Sequence, residues 1–413
     1  MTQSTSKKAW FVWGLAAFFY LYELVLRVSP SVMTDGLSSS FNVSASMLGV
    51  LVSCYYYSYT ALQLPCGILL DRIGVKWLLS FSALLCAFGS ILFALTDNLG
   101  IAQIGRFLVG CGSACAFISS LQVASTMFSA KYFVILTGAT NLMGTVGGLV
   151  GGYPIAKAVN SIGWHQTTYI LAYIGFAVAG LIMLVFPNTP KQKVARKQSV
   201  TGDVLSLIKN KQVIISAIVT SLMYLPCCTF AELWAVPYFM KKFNVTNEVA
   251  SMSSSAVFLG IALGSIIMAI IANKIKSFNK TLKYSALACG ILFLIMLYMP
   301  VSLYTALFVV FLIGILTGAQ PIGFTCAKYN ASTELSGTTL ALTNCIVMLF
   351  GCIFQPLVGY LLDVFRGGVV DATGQRIYSV SCYTNAILVI PICLFVSYFL
   401  IFLMKETYKS SDA

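Results

Sequence analysis

The strongest constraint on this chain is a succession of apolar segments, each long enough to cross about 30 Å of hydrocarbon as a helix. We count twelve, at approximately 10–36, 45–70, 77–96, 101–128, 132–157, 168–187, 212–240, 248–273, 282–299, 302–328, 337–362 and 381–404. In lipid every backbone polar group must be hydrogen-bonded internally, and a helix achieves this within one segment. The sequence therefore predicts an all-α membrane protein with twelve transmembrane helices.

The amino-acid composition agrees with a protein that lies mostly in lipid. Of the 413 residues, 59% are hydrophobic and 9% are charged, and the mean hydropathy is +0.89. Water-soluble proteins of this size do not need such values, whereas polytopic membrane proteins have them routinely. The net charge of +13 is carried by short basic clusters between apolar segments. Such clusters set membrane topology, so the charge does not indicate a nucleic-acid partner.

The 13 cysteines do not suggest a metal or disulfide framework. Most of them lie inside apolar runs without a C-x-x-C pair, where cysteine serves as a small apolar residue. The sequence also has no evident catalytic nucleophile, metal-ligand cluster or cofactor loop. We therefore expect no enzyme activity, no metal and no cofactor.

The distribution of basic residues predicts the orientation of the chain. Of the 25 lysines and arginines, 18 fall on the side of the N-terminus and two lie within segments. The five on the other side are Lys157, Lys241, Lys242, Arg366 and Arg376. Because basic loops stay in the cytoplasm, both termini are expected there, in a bacterial inner membrane. The first residues lack the pattern of a cleaved signal peptide, so the first segment is expected to remain as a helix.

The longest polar interruption, 188–211, divides the segments into six before it and six after it. It carries basic residues and no long apolar run. We interpret it as a cytoplasmic linker between an N-terminal half, 1–187, and a C-terminal half, 212–413.

The second segment ends in a motif, Gln63–Lys76, that resembles the signature loop of the major facilitator superfamily, G-x-L-x-D-R-x-G-R-K. Val75 replaces the penultimate basic residue of that pattern. The matching residues are Gly67, Asp71, Arg72, Gly74 and Lys76. An ordinary basic turn would explain the positive charges but not the glycines and the aspartate at this spacing.

The resemblance implies two pseudo-symmetric six-helix bundles that move a small solute by alternating access. It also implies that the matching residues form a conformational gate, in which Gly67 and Asp71 hold the cytoplasmic side closed in one state. The eleventh segment repeats the pattern G-x-L-L-D at Gly359–Asp363. Asp363 is therefore expected to belong to the gate as the repeat counterpart of Asp71.

Three ionisable residues lie inside the first and fourth segments. Glu23 and Arg27 stand four residues apart, so they share one face of a helix. Arg106 belongs to Gly105–Ala114, which resembles the superfamily's fourth-helix pattern of an arginine followed by G-x-G. An ionisable side chain in hydrocarbon is costly unless it faces a partner or a wet cavity. We expect all three to face a polar interior, and a purely structural pairing of Arg106 with Glu23 is the alternative.

The seventh segment places Glu232 between Pro226 and Pro237. Prolines permit a broken helix, which membrane interiors tolerate only beside protein or a cavity. By pseudo-symmetry with the first segment, Glu232 is expected to face the same polar space, unless it lies at the outer water interface. Further candidates for lining that space are Tyr59, Asn141, Trp234 and Gln320.

The fifth segment contains G-G-L-V-G-G at 147–152, which partly resembles a motif of proton-coupled antiporters. Gly148 stands where that motif has a proline. A glycine-rich face for close helix packing is the interpretation we favour.

These residues suggest a zwitterionic substrate. Arg27 and Arg106 can bind a carboxylate, while Glu23 or Glu232 can accept an ammonium group or a proton. The hypothesis is a proton-coupled carrier of amino acids or short peptides. A short similarity to the lysosomal dipeptide carrier branch, G-R-F-x-x-G-x-G at Gly105–Gly112, points the same way. The expected partners are the solute, protons and membrane lipid, and the carrier is expected to be a monomer.

Other functions are compatible with the same sequence. Within the superfamily, the alternatives are a carrier of organic anions or sugar acids and an exporter of amphipathic drugs, which the aromatic residues favour and the two arginines disfavour. From other classes, a channel would show conductance without saturation. A membrane receptor would usually carry a soluble output domain.

Overall fold

A computed structural model describes residues 7–187, 200–368 and 376–408. The described residues are α-helical and contain no β-strand. They form two compact units. Unit 1 comprises Met1–Phe41 and Leu51–Ala195, and unit 2 comprises Asn42–Val50 and Arg196–Ala413. Of the predicted linker, 188–199 lies outside the described residues, and a short helix follows from Val200.

Within residues 7–187 the structure describes eight α-helices. They are α1 (Lys7–Val28), α2 (Thr34–Phe41), α3 (Ala45–Ile73), α4 (Val75–Leu95), α5 (Leu99–Ser113), α6 (Ala116–Met127), α7 (Ala130–Gly151) and α8 (Tyr153–Val185). The first turn and a half of α3 belongs to unit 2, and the rest of α3 belongs to unit 1.

The described residues from 200 onward form ten further α-helices, all in unit 2. They are α9 (Val200–Lys209), α10 (Lys211–Leu225), α11 (Ala235–Phe243), α12 (Asn247–Ile275), α13 (Phe278–Tyr298), α14 (Leu303–Thr317), α15 (Gln320–Tyr329), α16 (Ser336–Phe365), α17 (Val380–Ile387) and α18 (Val389–Ile401). A π-helical segment, Pro226–Trp234, joins α10 to α11.

The apolar spans agree with the twelve predicted crossings. Within the described residues, ten stretches are long and apolar enough to cross a membrane, and the bent pair Thr34–Phe41 and Ala45–Gln63 supplies an eleventh. One of the ten, Ile135–Val185, has 51 residues. As a helix it would measure roughly 77 Å, more than twice the hydrocarbon thickness of about 30 Å. It therefore contains two of the predicted crossings.

The break inside this long stretch differs from the prediction. The predicted segments leave 158–167 as a connection, but α8 is helical on both sides of Gly163. Gly163 has φ 81° and ψ 163°, a conformation that glycine adopts without steric cost. One residue thus redirects the helix, and no separate loop is needed.

In unit 1, α1 packs against α6 and α7, and α4 packs against α5 and α8. Glycines let α7 approach α1 closely. A Cβ on Gly147 would stand 2.3 Å from the carbonyl oxygen of Leu21, and one on Gly151 would stand 2.8 Å from Val28. The interpretation of the fifth segment as a glycine-rich packing face is confirmed.

In unit 2, two G-x-x-x-G pairs face each other where α12 packs against α14. A Cβ on Gly264 would stand 2.2 Å from the carbonyl oxygen of Ile315, and one on Gly260 would stand 2.3 Å from that of Phe311. Gly314 supplies the reciprocal contact, because its Cβ would meet the carbonyl of Val257 at 2.3 Å. Small residues at such a crossing allow the backbones to touch, as is common between membrane helices.

The tail after α18 folds back on the start of α13 through Glu406. Its carboxylate accepts hydrogen bonds from the hydroxyl of Ser277 and from the backbone N–H groups of Phe278 and Asn279, the latter two at 3.1 and 3.2 Å. Burial raises the pKa of Glu406, but the hydrogen bonds from Ser277 and the backbone of Tyr408, Phe278 and Asn279 outweigh it and hold the pKa below its ordinary value. The carboxylate therefore serves as an acceptor for the first turn of α13.

Candidate functional site

The ionisable residues of the first half meet in one place inside unit 1. Glu23 is fully buried, and Arg27 and Arg106 are each 4% exposed. Three tyrosines of α3 surround them, and we call the six residues the Arg–Tyr cluster: Glu23, Arg27, Tyr55, Tyr56, Tyr59 and Arg106. The structure thus brings together four predicted site residues, Glu23, Arg27, Tyr59 and Arg106.

Glu23 is linked to helix α3. The hydroxyl of Tyr55 donates a hydrogen bond to Glu23 Oε2 at 2.7 Å. Tyr55 stacks on Tyr59, with ring centroids 5.6 Å apart and planes inclined by 21°. The spacing of four residues places both rings on one face of α3.

Arg27 lies among the three rings of α3. Its Cζ is 5.2 Å from the ring centroid of Tyr56, 5.9 Å from that of Tyr55 and 6.0 Å from that of Tyr59. A guanidinium within about 6 Å of an aromatic face is attracted to it, more strongly where water is excluded. The rings therefore offset part of the cost of burying this charge.

Arg106 has one edge bonded and one edge open. Its Nη1 donates to the carbonyl oxygen of Leu26 at 2.9 Å. Its Nε and Nη2 are buried and have no hydrogen-bond partner among the described residues. The guanidinium carbon lies 5.4 Å from the ring centroid of Tyr55 and 5.9 Å from that of Phe93. Nε and Nη2 form one side of the planar group, so the open edge presents two donors in parallel.

Close contact between α3 and α5 fixes this arrangement. A Cβ on Gly110 would stand only 2.1 Å from the carbonyl oxygen of Tyr55, so only glycine fits there. The hydroxyl of Ser58 donates to the carbonyl oxygen of Phe107 at 2.7 Å, which ties the two helices. The G-x-G step after Arg106 thus brings the arginine helix up to the tyrosine helix.

In unit 2, Glu232 lies in the π-helical segment between the two prolines that the sequence singled out. It is fully buried, and its position relative to the outer water interface stays a prediction. The thiol of Cys227 donates to Glu232 Oε1 at 3.7 Å. The segment is also bound to α12, where Ser254 donates to the carbonyl oxygen of Ala231 at 2.7 Å. π-Helical turns inside α-helices occur frequently at functional sites.

The indole nitrogen of Trp234 donates to the carbonyl oxygen of Gln355 at 3.1 Å. The side-chain amide of Gln355 in turn donates to the carbonyl oxygen of Cys228 at 2.6 Å. Gln320 begins α15 and is nearly buried, whereas Asn141 is exposed on α7. A chamber shared by these residues and the Arg–Tyr cluster stays a prediction.

The predicted gate, Gly67–Lys76, spans the end of α3 and the start of α4. No atom of the described residues lies within 4 Å of the position that a Cβ on Gly67 would occupy. Arg72 is exposed and Lys76 is half-buried, while the side chain of Asp71 lies outside the described part of the chain. Gly74 has φ 81° and begins the turn into α4, which accounts for a glycine at this point of the motif.

Its repeat counterpart in α16 contacts the start of α3 within unit 2. Asp363 accepts hydrogen bonds from the backbone N–H of Ser46 at 2.9 Å and from the hydroxyl of Tyr378 at 2.5 Å. Tyr378 also accepts from the backbone N–H of Ala45 at 2.9 Å. A Cβ on Gly359 would stand 2.2 Å from the carbonyl oxygen of Ala45. Asp363 therefore acts at a helix N-terminus, where a negative charge is favourable.

Tyr378 is a part of this contact that the sequence did not predict. Burial, followed by the hydrogen bond to Asp363, raises the pKa of Tyr378 to about 12. The phenol thus remains protonated and able to donate. No pattern in the sequence marks Tyr378, since it lies between segments and 15 residues from Asp363.

The fold and the buried charges define the class of protein. Ionisable residues inside apolar helix bundles mark solute or ion pathways in membrane proteins. The sequence profile of the Major Facilitator Superfamily matches residues 12–356. The chain belongs to the Major Facilitator Superfamily, whose members are membrane transporters rather than enzymes, as the loop at Gln63–Lys76 predicted.

Curated relatives match parts of the chain. It is 28% identical over 177 residues to the uncharacterized transporter YybO of Bacillus subtilis, covering 43% of this chain and 39% of that protein. It is 30% identical over 190 residues to the putative multidrug resistance protein MdtD of Yersinia pestis, covering 46% of this chain and 40% of that protein. The matches thus cover less than half of the length of these relatives.

Solved structures confirm the fold class. A bacterial homolog of the human lysosomal transporter Spinster, in an inward-facing and unoccupied conformation, superposes with a TM-score of 0.82 at 14% identity over 97% of both chains. A D-xylose–proton symporter gives a TM-score of 0.75 at 14% identity over 96% of this chain and 97% of the other. The predicted two-bundle helical fold is that of this superfamily.

Proposed function

We propose that this transporter carries a small zwitterionic solute, an amino acid or short peptide, and that protons drive it. The observation that carries the proposal is the open Nε and Nη2 edge of Arg106, which is buried against Tyr55, the residue that also contacts Glu23 and Arg27. A structural arginine inside a protein is normally bonded on all sides, because an unsatisfied buried donor costs about 1–3 kcal/mol. A ligand can remove that cost.

The chemistry of the open edge favours a carboxylate. Two parallel N–H donors match the two oxygens of a carboxylate, and such bidentate, charge-assisted pairs are the stronger hydrogen bonds in proteins. The nearby Arg27 adds a second positive charge. A neutral or cationic solute would leave the open edge of Arg106 without a charged acceptor.

Glu23 and Glu232 are the basis for the second part of the proposal, the binding of an ammonium group or a proton. Glu23 and Glu232 are both fully buried, and a buried carboxylate is costly unless it is paired, bonded or protonated. Either one can accept the ammonium group of the solute or a proton. We assign proton coupling to these two residues, as the sequence suggested.

Alternating access requires contacts that form and break. We propose that Asp363 is part of the gate because it holds the first turn of α3, a helix that begins in unit 2 and continues in unit 1. Gly67, Asp71, Arg72, Gly74 and Lys76 are proposed as the counterpart at the other end of α3.

The substrate class is tested with purified protein and a defined panel. L-Alanine, L-alanyl-L-alanine, D-gluconate and glycerol 3-phosphate are compared for their effect on the melting temperature, because a ligand of the folded state raises it. The proposal predicts the largest effect from the alanine compounds. The largest effect from D-gluconate would favour the alternative of a sugar-acid carrier, and the largest effect from the phosphate would overturn both.

Uptake into proteoliposomes tests the arginines. Arg27→Gln and Arg106→Gln are expected to abolish uptake of the solute that stabilises best, while the proteins remain folded. Lys157→Gln removes an exposed cation of α8 and is the matched control, with normal uptake expected. Normal uptake by both arginine variants would overturn the carboxylate role.

Proton coupling is tested separately in the same vesicles. Glu23→Gln or Glu232→Gln is expected to remove the dependence on an imposed pH gradient and to preserve solute exchange. If both variants still concentrate solute under the gradient, the coupling residues are others.

The alternative function, export of amphipathic drugs, is favoured by one specific observation, the three tyrosine rings around Arg27. The name of the Yersinia relative, a putative multidrug resistance protein, agrees with it. This alternative predicts that an amphipathic cation such as tetraphenylphosphonium raises the melting temperature and that the carboxylates do not.

A further inference from the structure

Tyr55 lies where the acid and the two arginines of the Arg–Tyr cluster meet. Its hydroxyl donates to Glu23 at 2.7 Å, and its ring centroid lies 5.9 Å from Cζ of Arg27 and 5.4 Å from Cζ of Arg106. The side chain is fully buried. The proposed function assigns roles to Glu23 and to both arginines but none to this tyrosine.

The backbone of Tyr55 is fixed on two sides. Its carbonyl oxygen touches Gly110 of α5 and accepts a hydrogen bond from Ser58 at 3.0 Å. Its ring stacks on Tyr59 and meets Tyr56 edge-on at 5.5 Å. The phenol therefore has a defined position relative to Glu23, which a freely rotating side chain would not have.

The hydroxyl can serve both protonation states of Glu23. While Glu23 is ionised, the phenol donates to the carboxylate, and a hydrogen bond to the charged form favours that form. When Glu23 takes up a proton, the carboxylic O–H becomes a donor, and the phenolic oxygen can accept from it. The phenolic hydrogen must then turn away. The same ring presents its face to Arg106, whose open edge is the proposed anion site.

We propose that Tyr55 is the positioning residue that couples protonation of Glu23 to the anion-binding edge of Arg106. The inference rests on the proposed function. Tyr55 exchanges no proton with the solute and does not bind it. Its hydroxyl donates to the carboxylate form of Glu23 while Arg106 is open, and it transmits a change at either residue to the other.

Other titratable groups face this pair from the helices packed around it. On α1, α3, α4 and α5 they are Tyr20, Arg27, Cys54, Tyr56, Tyr59, Cys86 and Arg106. The described helices that pack on α1 also carry Lys76, Cys111, Tyr132, Tyr153, Lys157, His165, Tyr169 and Tyr173. Glu23 is the only carboxyl group among the described residues named in these two sets.

The first test needs no ligand. Infrared difference spectra of the purified protein follow the C=O stretch of protonated carboxyl groups against pH, and Glu23→Gln identifies the Glu23 band by its loss. In Tyr55→Phe, which keeps the ring and removes the donor, the midpoint of that band should move to higher pH by about one unit, a tenfold change in proton affinity. Tyr57→Phe makes the same change at an exposed position of α3 and should leave the midpoint unmoved.

The second test measures the coupling. Arg106→Lys leaves Tyr55 in place and should also move the Glu23 midpoint. In the double variant with Tyr55→Phe the two shifts should not add, because both act through Tyr55. In wild-type protein, L-alanyl-L-alanine should move the midpoint as well, and in Tyr55→Phe this effect should be lost.

The outcomes separate this inference from the proposed function. An unmoved midpoint in Tyr55→Phe, or strictly additive shifts, would overturn the role of Tyr55 even if the dipeptide still stabilises the protein. Absence of any stabilisation of wild-type protein by the carboxylates of the panel would instead overturn the proposed function, and the coupling with it. If Tyr55→Phe does not fold, the test is the midpoint of the Glu23 infrared band in Arg106→Lys. A midpoint equal to that of the wild type would contradict the coupling.

Discussion

Replacement of Arg106 by lysine separates the positive charge from the geometry of the guanidinium group. Lysine keeps the charge at this position of α5 but has a single nitrogen and no pair of parallel donors. If the open edge binds a carboxylate through both Nε and Nη2, the variant retains the attraction and loses one of two hydrogen bonds. The change therefore tests bidentate recognition rather than the charge of the site.

The expected loss of affinity follows from the number of donors. A hydrogen bond to a charged group contributes about 1.5–3 kcal/mol. Since 1.4 kcal/mol corresponds to tenfold, the loss of one such bond should raise the Kd by roughly 10- to 150-fold. Without ligand, the free energy of unfolding should change by less than the free energy of binding does. The variant loses the hydrogen bond from Nη1 to Leu26, but it also removes Nε and Nη2, two buried donors that have no partner among the described residues.

The assay is a titration of the purified Arg106→Lys protein with L-alanyl-L-alanine, followed by the melting temperature and by calorimetry. Lys157→Gln serves as the control and should bind like the wild type. Equal affinity of Arg106→Lys and wild type would refute the bidentate contact. An unfolded variant would show that the bond to Leu26 has a larger structural role than we assign to it.

Three further changes test the fold and the gate. Gly264→Ala should lower the melting temperature, because its Cβ would stand 2.2 Å from a backbone oxygen and overpacking costs about 1–3 kcal/mol. Gly138→Ala should not lower it, because no atom in the described part of the chain lies within 4 Å of its Cβ position. Asp363→Ala should speed hydrogen exchange of the amides at 45–46, and unchanged exchange would exclude the contact as a restraint on α3. The pKa of Glu406 is lowered on folding, so this carboxylate stabilises the fold above its ordinary pKa of 4.5 and stops doing so as the pH falls through the lowered value. Glu406→Gln should therefore reduce the melting temperature at pH 7. In the variant, the melting temperature should also decrease less between pH 7 and acid pH than in the wild type.

Much of the fold follows from the sequence because lipid imposes a simple rule on it. Apolar length predicts the crossings. The connection near Gly163 differs, since a single glycine with positive φ replaces a loop. The prolines around Glu232 predict an interrupted helix, and the structure has a π-helical segment there. Periodicity does not distinguish a π-helical turn from a kink or a broken helix, so the kind of interruption was not predictable.

The site was predictable in its charges but not in their surroundings. Intramembrane cost alone singles out Arg27 and Arg106, whereas the partner of Arg106 is a backbone carbonyl 80 residues away. Backbone carbonyls carry no sequence signal. Tyr55 had a usable signal, since it stands four residues from Tyr59 on one helix face, but aromatic residues are common in such helices. Its hydrogen bond to Glu23 depends on how α1 packs against α3, which local pattern does not determine.

The gate shows a similar limit. The repeated G-x-L-L-D pattern points to both Gly67 and Gly359, yet only Gly359 lies in close contact with another backbone in the described structure. The same motif thus has different neighbours at its two positions, because the whole fold determines which helix packs against each of them. Sequence symmetry identifies the elements, and the structure tells which of them is engaged.

The central claim is that the buried edge of Arg106 binds the carboxylate of the transported solute. Its most direct test compares the affinity of wild-type protein for L-alanyl-L-alanine and for the corresponding carboxamide, which has the same shape and no negative charge. The account predicts at least tenfold weaker binding of the amide, and a smaller difference in Arg106→Lys. Equal binding of acid and amide by the wild type, or binding of the amide alone, would contradict it.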